Sequence, residues 1–271
     1  MPQPLPVLTP AHDRVIVTGA GSGIGRAVTI ALARSGTHVF ALGRRLDALE
    51  QTAALAGPAV TPVACDVRDT YAVDTALRDI EFEGAPTGLV HAAAQMTKML
   101  ARDMTSKIFR DVVDSTLIGS FNILHRWAAP LLTAPVMGSA VMLTSNSASL
   151  GTPGVAHSSA GKAGVEALVK SLAREWGPSG ITINAIGPGA FPVDKSAAAW
   201  STPSVETRMR SAIALGRYGE LDEIVGPIAF LLSRGATYVT GQLLRVDGGL
   251  SLTRWSVEPE EMSAGVNNNY G

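Results

Sequence analysis

The chain has 271 residues, with 22 Lys and Arg against 23 Asp and Glu and a formal net charge of −1 at pH 7. So even a balance, with no basic run, argues against nucleic acid or a membrane surface as partner and leaves a small molecule as the expected substrate. A single cysteine, Cys65, excludes an internal disulfide framework and a cysteine-built zinc site, which fits a cytoplasmic protein.

The length suits one α/β domain, expected over residues 13–253, with an arm at 1–12 and a tail at 254–271. Met1 to Pro10 carries four prolines and no basic residue ahead of an apolar run, so it reads as an extended arm rather than a signal peptide or membrane span. Ser256 to Gly271 is polar and reads as a tail.

Val15-Ile16-Val17-Thr18 is a β-branched strand that breaks into glycines and resumes as a helix from Ile24 to Arg34, with Val28 and Leu32 on its inner face and Gly36 at its end. Gly19, Ser22, Gly23, Ile24 and Gly25 form a candidate pyrophosphate cradle. Glycines remove the Cβ atoms that would hold a phosphate away, and the helix start turns its first amides toward the anion. Three residues separate Gly19 from Gly23, unlike the Gly-x-Gly-x-x-Gly of two-domain dehydrogenases.

Thr37 to Leu42 is a second, buried strand, followed by Gly43-Arg44-Arg45. At this strand end an acid would hydrogen-bond the free 2′-hydroxyl of NAD, whereas an arginine neutralises the 2′-phosphate of NADP. With Gly43 in the acid's place and Arg44 beside it, the cofactor is read as NADP(H). Ala59 to Cys65 is the third strand. Pro62 cannot donate to a ladder, so this strand is placed at the sheet edge, as in the order 3-2-1-4-5-6. Asp66 and Val67 then border the adenine, and Gly88 to Ala94 is a fourth strand whose small exit residues, Ala92 and Ala93, let a cofactor approach.

Phe109 to Leu132 reads as one long helix ending near Pro130. Ala140 to Ser145 is the fifth strand, Ala160 to Trp176 a helix, Ile181 to Ile186 the sixth strand, and Gly187-Pro188-Gly189 a rigid turn facing the cofactor. Ala190 to Ala214 has no clear period and is read as a mobile substrate-side loop and helix. Leu221 to Leu232 is a helix, and Tyr238 to Gly249 closes the sheet. The alternation predicts an α/β fold with a doubly wound parallel sheet of about seven strands.

Over residues 12–253 the chain resembles the short-chain dehydrogenase/reductase family. The resemblance rests on Thr18-Gly19-Ala20-Gly21-Ser22-Gly23-Ile24-Gly25, Asp66-Val67, Ser145, Lys162-Ala163-Gly164-Val165, Asn184-Ala185-Ile186-Gly187-Pro188-Gly189, Val239-Thr240-Gly241 and Val246-Asp247-Gly248-Gly249. It implies a single Rossmann domain, a nicotinamide cofactor and a homotetramer or homodimer. It also implies a catalytic Asn, Ser, Tyr and Lys, and here the chain departs. Lys162 and Ser145 occupy the lysine and serine positions, but Ser158 stands where the tyrosine is expected and Thr116 where the asparagine is. His91-Ala92-Ala93-Ala94 replaces Asn-Asn-Ala-Gly. The serine at 158 also resembles the 2,4-dienoyl-CoA reductase branch, although the tyrosine that mitochondrial members of that branch carry eleven residues earlier is Ser147 here.

Ser158 and Lys162, four apart, share a helix face. The resemblance implies that Lys162 binds the nicotinamide ribose hydroxyls, and Ser145 can orient a carbonyl or imine. Ser158 is a poor acid whose oxygen stops about 4 Å short of a phenol's reach, roughly the room of one water. The catalytic candidates are thus Ser145, Ser158, Lys162 and Thr116, with the proton coming from water or substrate. For Ser145 and Ser158 a capping or space-filling role is the alternative. His91 reads as a hydrogen-bonded structural residue and His157 as pointing away from the site; Met96, Met99, Met104, Trp200 and Met209 are candidate pocket lining. No His, Asp and Glu spacing suggests a metal. Besides an NADP(H)-dependent reductase, two readings stand: a non-redox cyclase, isomerase or lyase, and a catalytically silent partner of an active relative.

Overall fold

The computed structural model describes residues 11–82, 84–95, 97–193 and 202–252. Seven parallel strands form one sheet: β1 (Arg14–Thr18), β2 (His38–Gly43), β3 (Val60–Ala64), β4 (Gly88–His91), β5 (Gly138–Leu143), β6 (Ile181–Pro188) and β7 (Leu243–Val246). Their order is β3-β2-β1-β4-β5-β6-β7. Pro62 lies on edge strand β3, opposite Ala41, so its missing N–H leaves no inner ladder broken.

Side chains alternate across this sheet, and both faces are covered, so the strands read as continuous apolar runs. Ile16, Phe40, Leu89 and Met142 face one layer, made by α3 (Thr70–Phe82), α5 (Gly119–Leu131) and α7 (Ala156–Trp176). Val15, Val17, Val90 and Val141 face the other, made by α1 (Gly23–Arg34), α2 (Leu46–Ala56) and α9 (Leu221–Leu231). Each fully buried Leu, Ile or Phe contributes about 1.5–3 kcal/mol. Trp127 adds a specific contact, its indole N–H donating to the Pro86 carbonyl at 3.0 Å.

Three expectations are corrected. The long helix from Phe109 is two helices, α4 (Ser106–Val113) and α5, joined by a π-turn over Asp114–Ile118. One surplus residue is accommodated there. The fit explains it: Gly119 abuts Val67, and Thr116 packs against Gly161 of α7. The closing strand is four residues long rather than running from Tyr238. Its expected first half is a turn stapled to β6 by Asn184, whose amide donates to the Val239 carbonyl at 2.7 Å and whose Oδ1 accepts from the Gln242 N–H at 3.1 Å. Gly241 takes a φ of +72° in that turn, a backbone no strand uses. Finally, α7 begins at Ala156 rather than Ala160, which places His157 and Ser158 in its first turn.

Two crossover helices, α2 and α3, went unassigned in sequence. A single turn, α6 (Ser147–Leu150), follows β5, and α8 (Pro203–Ala212) lies within the stretch read as loop and helix. Residues 194–201, with Trp200, lie outside the described residues, as do Met96, most of the arm and the tail. Among the described residues no helix is long and apolar enough to cross a membrane.

Candidate active site

The carboxyl ends of the strands open on a cleft of about 460 Å³. Its floor is the turn between β1 and α1. A Cβ on Gly25 would stand 2.3 Å from the Gly19 carbonyl oxygen, and one on Gly19, at φ +68°, would stand 2.8 Å from the backbone of Ala92 and Ala93. The turn therefore closes on itself and on the β4 exit only because both positions lack side chains. Gly23 also takes a positive φ, +53°, with Val193 at its Cα face.

The turn is braced from behind. Arg26 of α1 donates to the Gly21 carbonyl at 2.6 Å, and Thr52 of α2 donates to the Ala20 carbonyl at 3.0 Å. A trans peptide carries its C=O and N–H on opposite sides, so holding these oxygens back turns the Gly21 and Ser22 amides the other way. Such a cradle, at a helix start, fits an anionic phosphate group.

At the outer end, Gly43, Arg44 and Arg45 meet Asp66, Val67 and Arg68. Asn122 of α5 donates to the Val67 carbonyl at 2.9 Å, fixing this second turn against the helix layer. Arg44 is exposed. Asp66 is held below the ordinary carboxylate range, first by hydrogen bonds from Arg68 and then by the nearby charge of Arg44.

At the inner end, Ser145, Ser158 and Lys162 line one wall, with Pro188 and Gly189 beside them. Lys162 is buried, and its Nζ donates to the Leu143 carbonyl. Burial lowers its pKa to about 8, because removing water penalises the ammonium. Ser145 Oγ accepts from the Ser147 hydroxyl at 3.0 Å and from the Ser147 N–H at 3.2 Å. Its own proton is therefore free to point into the cleft it lines. Ser158 is buried beside Lys162's turn, and its main-chain N–H donates to the His157 ring.

Of the predicted cofactor residues, Gly19, Ser22, Ile24, Gly25, Arg44, Asp66, Val67, Ala92, Ala93, Lys162, Pro188 and Gly189 all border this cleft; Gly23 supports the turn without lining it. Thr116 is placed elsewhere. It is fully buried in the π-turn, its hydroxyl has no partner among the described residues, and its neighbour Ser115 lines the cleft instead. His157 is wholly buried and does not line the cleft. His91 pairs with the Thr18 hydroxyl at 2.8 Å, while that same oxygen accepts from the Ala93 N–H at 3.1 Å. Met99, Met104 and Met209 are half-buried outside the cleft wall.

Sequence reasoning passed over Arg68, Thr144, Phe191 and Val193, which also line the cleft. The signal for Arg68 was present in Asp66-Val67-Arg68, a charge pair next to a strand end. Phe191 and Val193 carried none, because only the return of β6 past Pro188 brings them over the cradle. Among the described residues, no group of three His, Cys, Asp or Glu side chains is close enough to hold a metal ion.

The family model described as Enoyl-(Acyl carrier protein) reductase matches residues 19–251. A Bacillus subtilis protein named "Probable 2,4-dienoyl-CoA reductase" is 34% identical over 243 residues, covering 87% of this chain and 95% of its own. The 3-oxoacyl-acyl-carrier-protein reductase FabG of Staphylococcus aureus is 32% identical over 240 residues, covering 87% and 96%. Among solved structures, an actinorhodin polyketide ketoreductase with NADPH superposes with a TM-score of 0.84 at 28% identity, covering 89% of this chain and 97% of that one.

Proposed function

Because the chain belongs to the short-chain dehydrogenase/reductase family, we propose that it is an NADP(H)-dependent reductase of a small organic substrate, with a serine where the family pattern has a tyrosine. Its setting in this reading is the cytoplasm, and its assembly a homotetramer or homodimer. The observation that carries the reading is the shared cleft: the glycine cradle, Arg44, and the set Ser145, Ser158 and Lys162 all open on one space. A solved relative with NADPH supports the choice of dinucleotide.

When bound, the cofactor supplies hydride from its nicotinamide ring. The residues of the chain divide the remaining tasks. Gly19, Ser22, Gly23, Ile24 and Gly25 hold the pyrophosphate, Arg44 takes the 2′-phosphate, and Asp66 and Val67 border the adenine. Ala92 and Ala93 leave room for the ribose, Pro188 and Gly189 shape the nicotinamide end, and the Lys162 ammonium donates to ribose hydroxyls. Ser145 donates a hydrogen bond to the substrate's acceptor oxygen or nitrogen. Ser158 and Lys162 hold a water, and that water gives the substrate the one proton that accompanies hydride, the hydroxide left behind regaining a proton from solvent. Thr116 acts as a positioning residue, seating the π-turn against α7 so that Ser115 and Ser158 meet at the cleft.

The reading is tested by following the absorbance of the reduced nicotinamide during turnover with Ser145→Ala and Ser158→Ala. Both variants should lower kcat at least tenfold, each at unchanged NADPH affinity. Turnover at the wild-type rate in both would remove the two serines from the reaction. Conversion without loss of NADPH would favour a cyclase, isomerase or lyase, and hydride transfer only with a co-purifying homologous chain would favour a silent subunit.

A further inference from the structure

Asp66 and Arg68 form the tightest charged contact in the cleft. The Arg68 main-chain N–H reaches Oδ1 at 3.1 Å, its Nε reaches Oδ1 and Oδ2 at 3.0 and 3.1 Å, and its terminal Nη2 reaches Oδ2 at 2.6 Å. An ionised carboxylate offers about four lone-pair sites. Three N–H groups of one neighbouring residue engage both oxygens, the Nε–H being shared between them.

A purine amine therefore competes with Arg68 for Asp66. A released guanidinium then needs another anion. The charges of Asp111 and Asp114 reach Arg68, and the charge of Arg44 reaches Asp66, so the carboxylate feels two arginines. Arg44, Arg45, Asp66 and Arg68 all line the same end of the cleft. A dinucleotide carrying a 2′-phosphate brings a dianion to this end, and one carrying a 2′-hydroxyl brings none.

We propose that Arg68 is a second ligand of the 2′-phosphate, held by Asp66 until the dinucleotide exchanges one anion for another. In a phosphorylated dinucleotide the adenine takes over Asp66 while the phosphate takes over Arg68. In an unphosphorylated one, freeing Asp66 leaves Arg68 without an equivalent partner. Discrimination thus arises from the exchange as well as from Arg44. A guanidinium suits this role because its planar fork matches carboxylate and phosphate alike.

This inference rests on the proposed use of NADP(H), and titration of the purified full chain separates the two. NADPH, NADH and 2′,5′-ADP are titrated into wild type, Arg68→Gln, Arg68→Lys and Arg44→Gln, with dissociation constants read by calorimetry. Wild type should prefer NADPH. Arg68→Gln should weaken NADPH and 2′,5′-ADP about tenfold and leave NADH unchanged or tighter, because Asp66 is now free; Arg68→Lys should recover part of the loss. If wild type prefers NADPH but Arg68→Gln changes both dinucleotides equally, or neither, the exchange is overturned while the cofactor reading stands. A wild type that prefers NADH, or binds no dinucleotide, overturns both.

Discussion

Lys162 Nζ and the Leu143 carbonyl oxygen are hydrogen-bonded at 2.5 Å, joining the second turn of α7 to the end of β5. The bond fixes where the ammonium stands, and burial decides how long it stays charged: its pKa falls to about 8. Below that value the residue is a three-proton donor, above it a neutral amine. NADPH affinity should therefore decline severalfold as pH rises through about 8, and Lys162→Met should bind at least tenfold more weakly with no inflection there. A pH series of dissociation constants on both proteins checks this. An inflection retained in Lys162→Met would assign it to another group.

His91 and His12 make acid the weak side of this fold. Burial lowers His91 from 6.5 to about 3 and His12 from 6.5 to about 4. The unfolded chain takes up both protons near pH 6.5, while the folded chain takes them up only near its lowered values. The stabilisation is thus fully present above pH 6.5 and is lost as pH falls through the window down to the folded pKa values, at about 1.4 kcal/mol per pH unit per histidine. Urea unfolding at pH 7 and pH 5 should show a loss of about 4 kcal/mol, of which His91→Asn removes about half. Equal losses in both proteins would acquit His91.

Gly25→Ala should abolish dinucleotide binding and cost about 1–3 kcal/mol of stability. The added methyl would lie 2.3 Å from the Gly19 oxygen, with main chain on both sides and no flexible side chain to yield. Calorimetric titration together with thermal melting reads both effects. Wild-type affinity in this variant would mean that the turn does not cradle the pyrophosphate.

Asn184→Ala should destabilise by about 1–3 kcal/mol, since two part-buried main-chain hydrogen bonds are lost at once. The damage should localise to residues 238–246, seen as faster amide exchange there, while the far edge at β3 keeps its protection. Unchanged stability and protection would mean that the staple is dispensable, and uniform loss that its effect is not local.

Much of this architecture is written locally. Five largely apolar runs announce the inner strands, and Pro62 alone places the third strand at the edge. The cradle was legible for the same reason, since glycine spacing encodes backbone shape directly. What escaped depends on distant partners. No helical period reveals that Thr116 must meet Gly161, forty-five positions away, and the turn at Val239 follows from an amide on another strand. The Arg68 guanidinium escaped because a charge beside a charge reads as solvated surface until the fold shows that it lines the same cleft as Arg44.

The surplus residue of the π-turn sets a local shape rather than the phase of the helix after it. A π-turn absorbs one extra position, so deleting one within Asp114–Ile118 would leave an unbroken α-helix with Ile123, Leu124 and Trp127 still sealed against the sheet. A shortened chain would instead lose the seat of Thr116 against Gly161 and the place of Ser115 at the cleft. A one-residue deletion there should therefore spare the core and fall on the site.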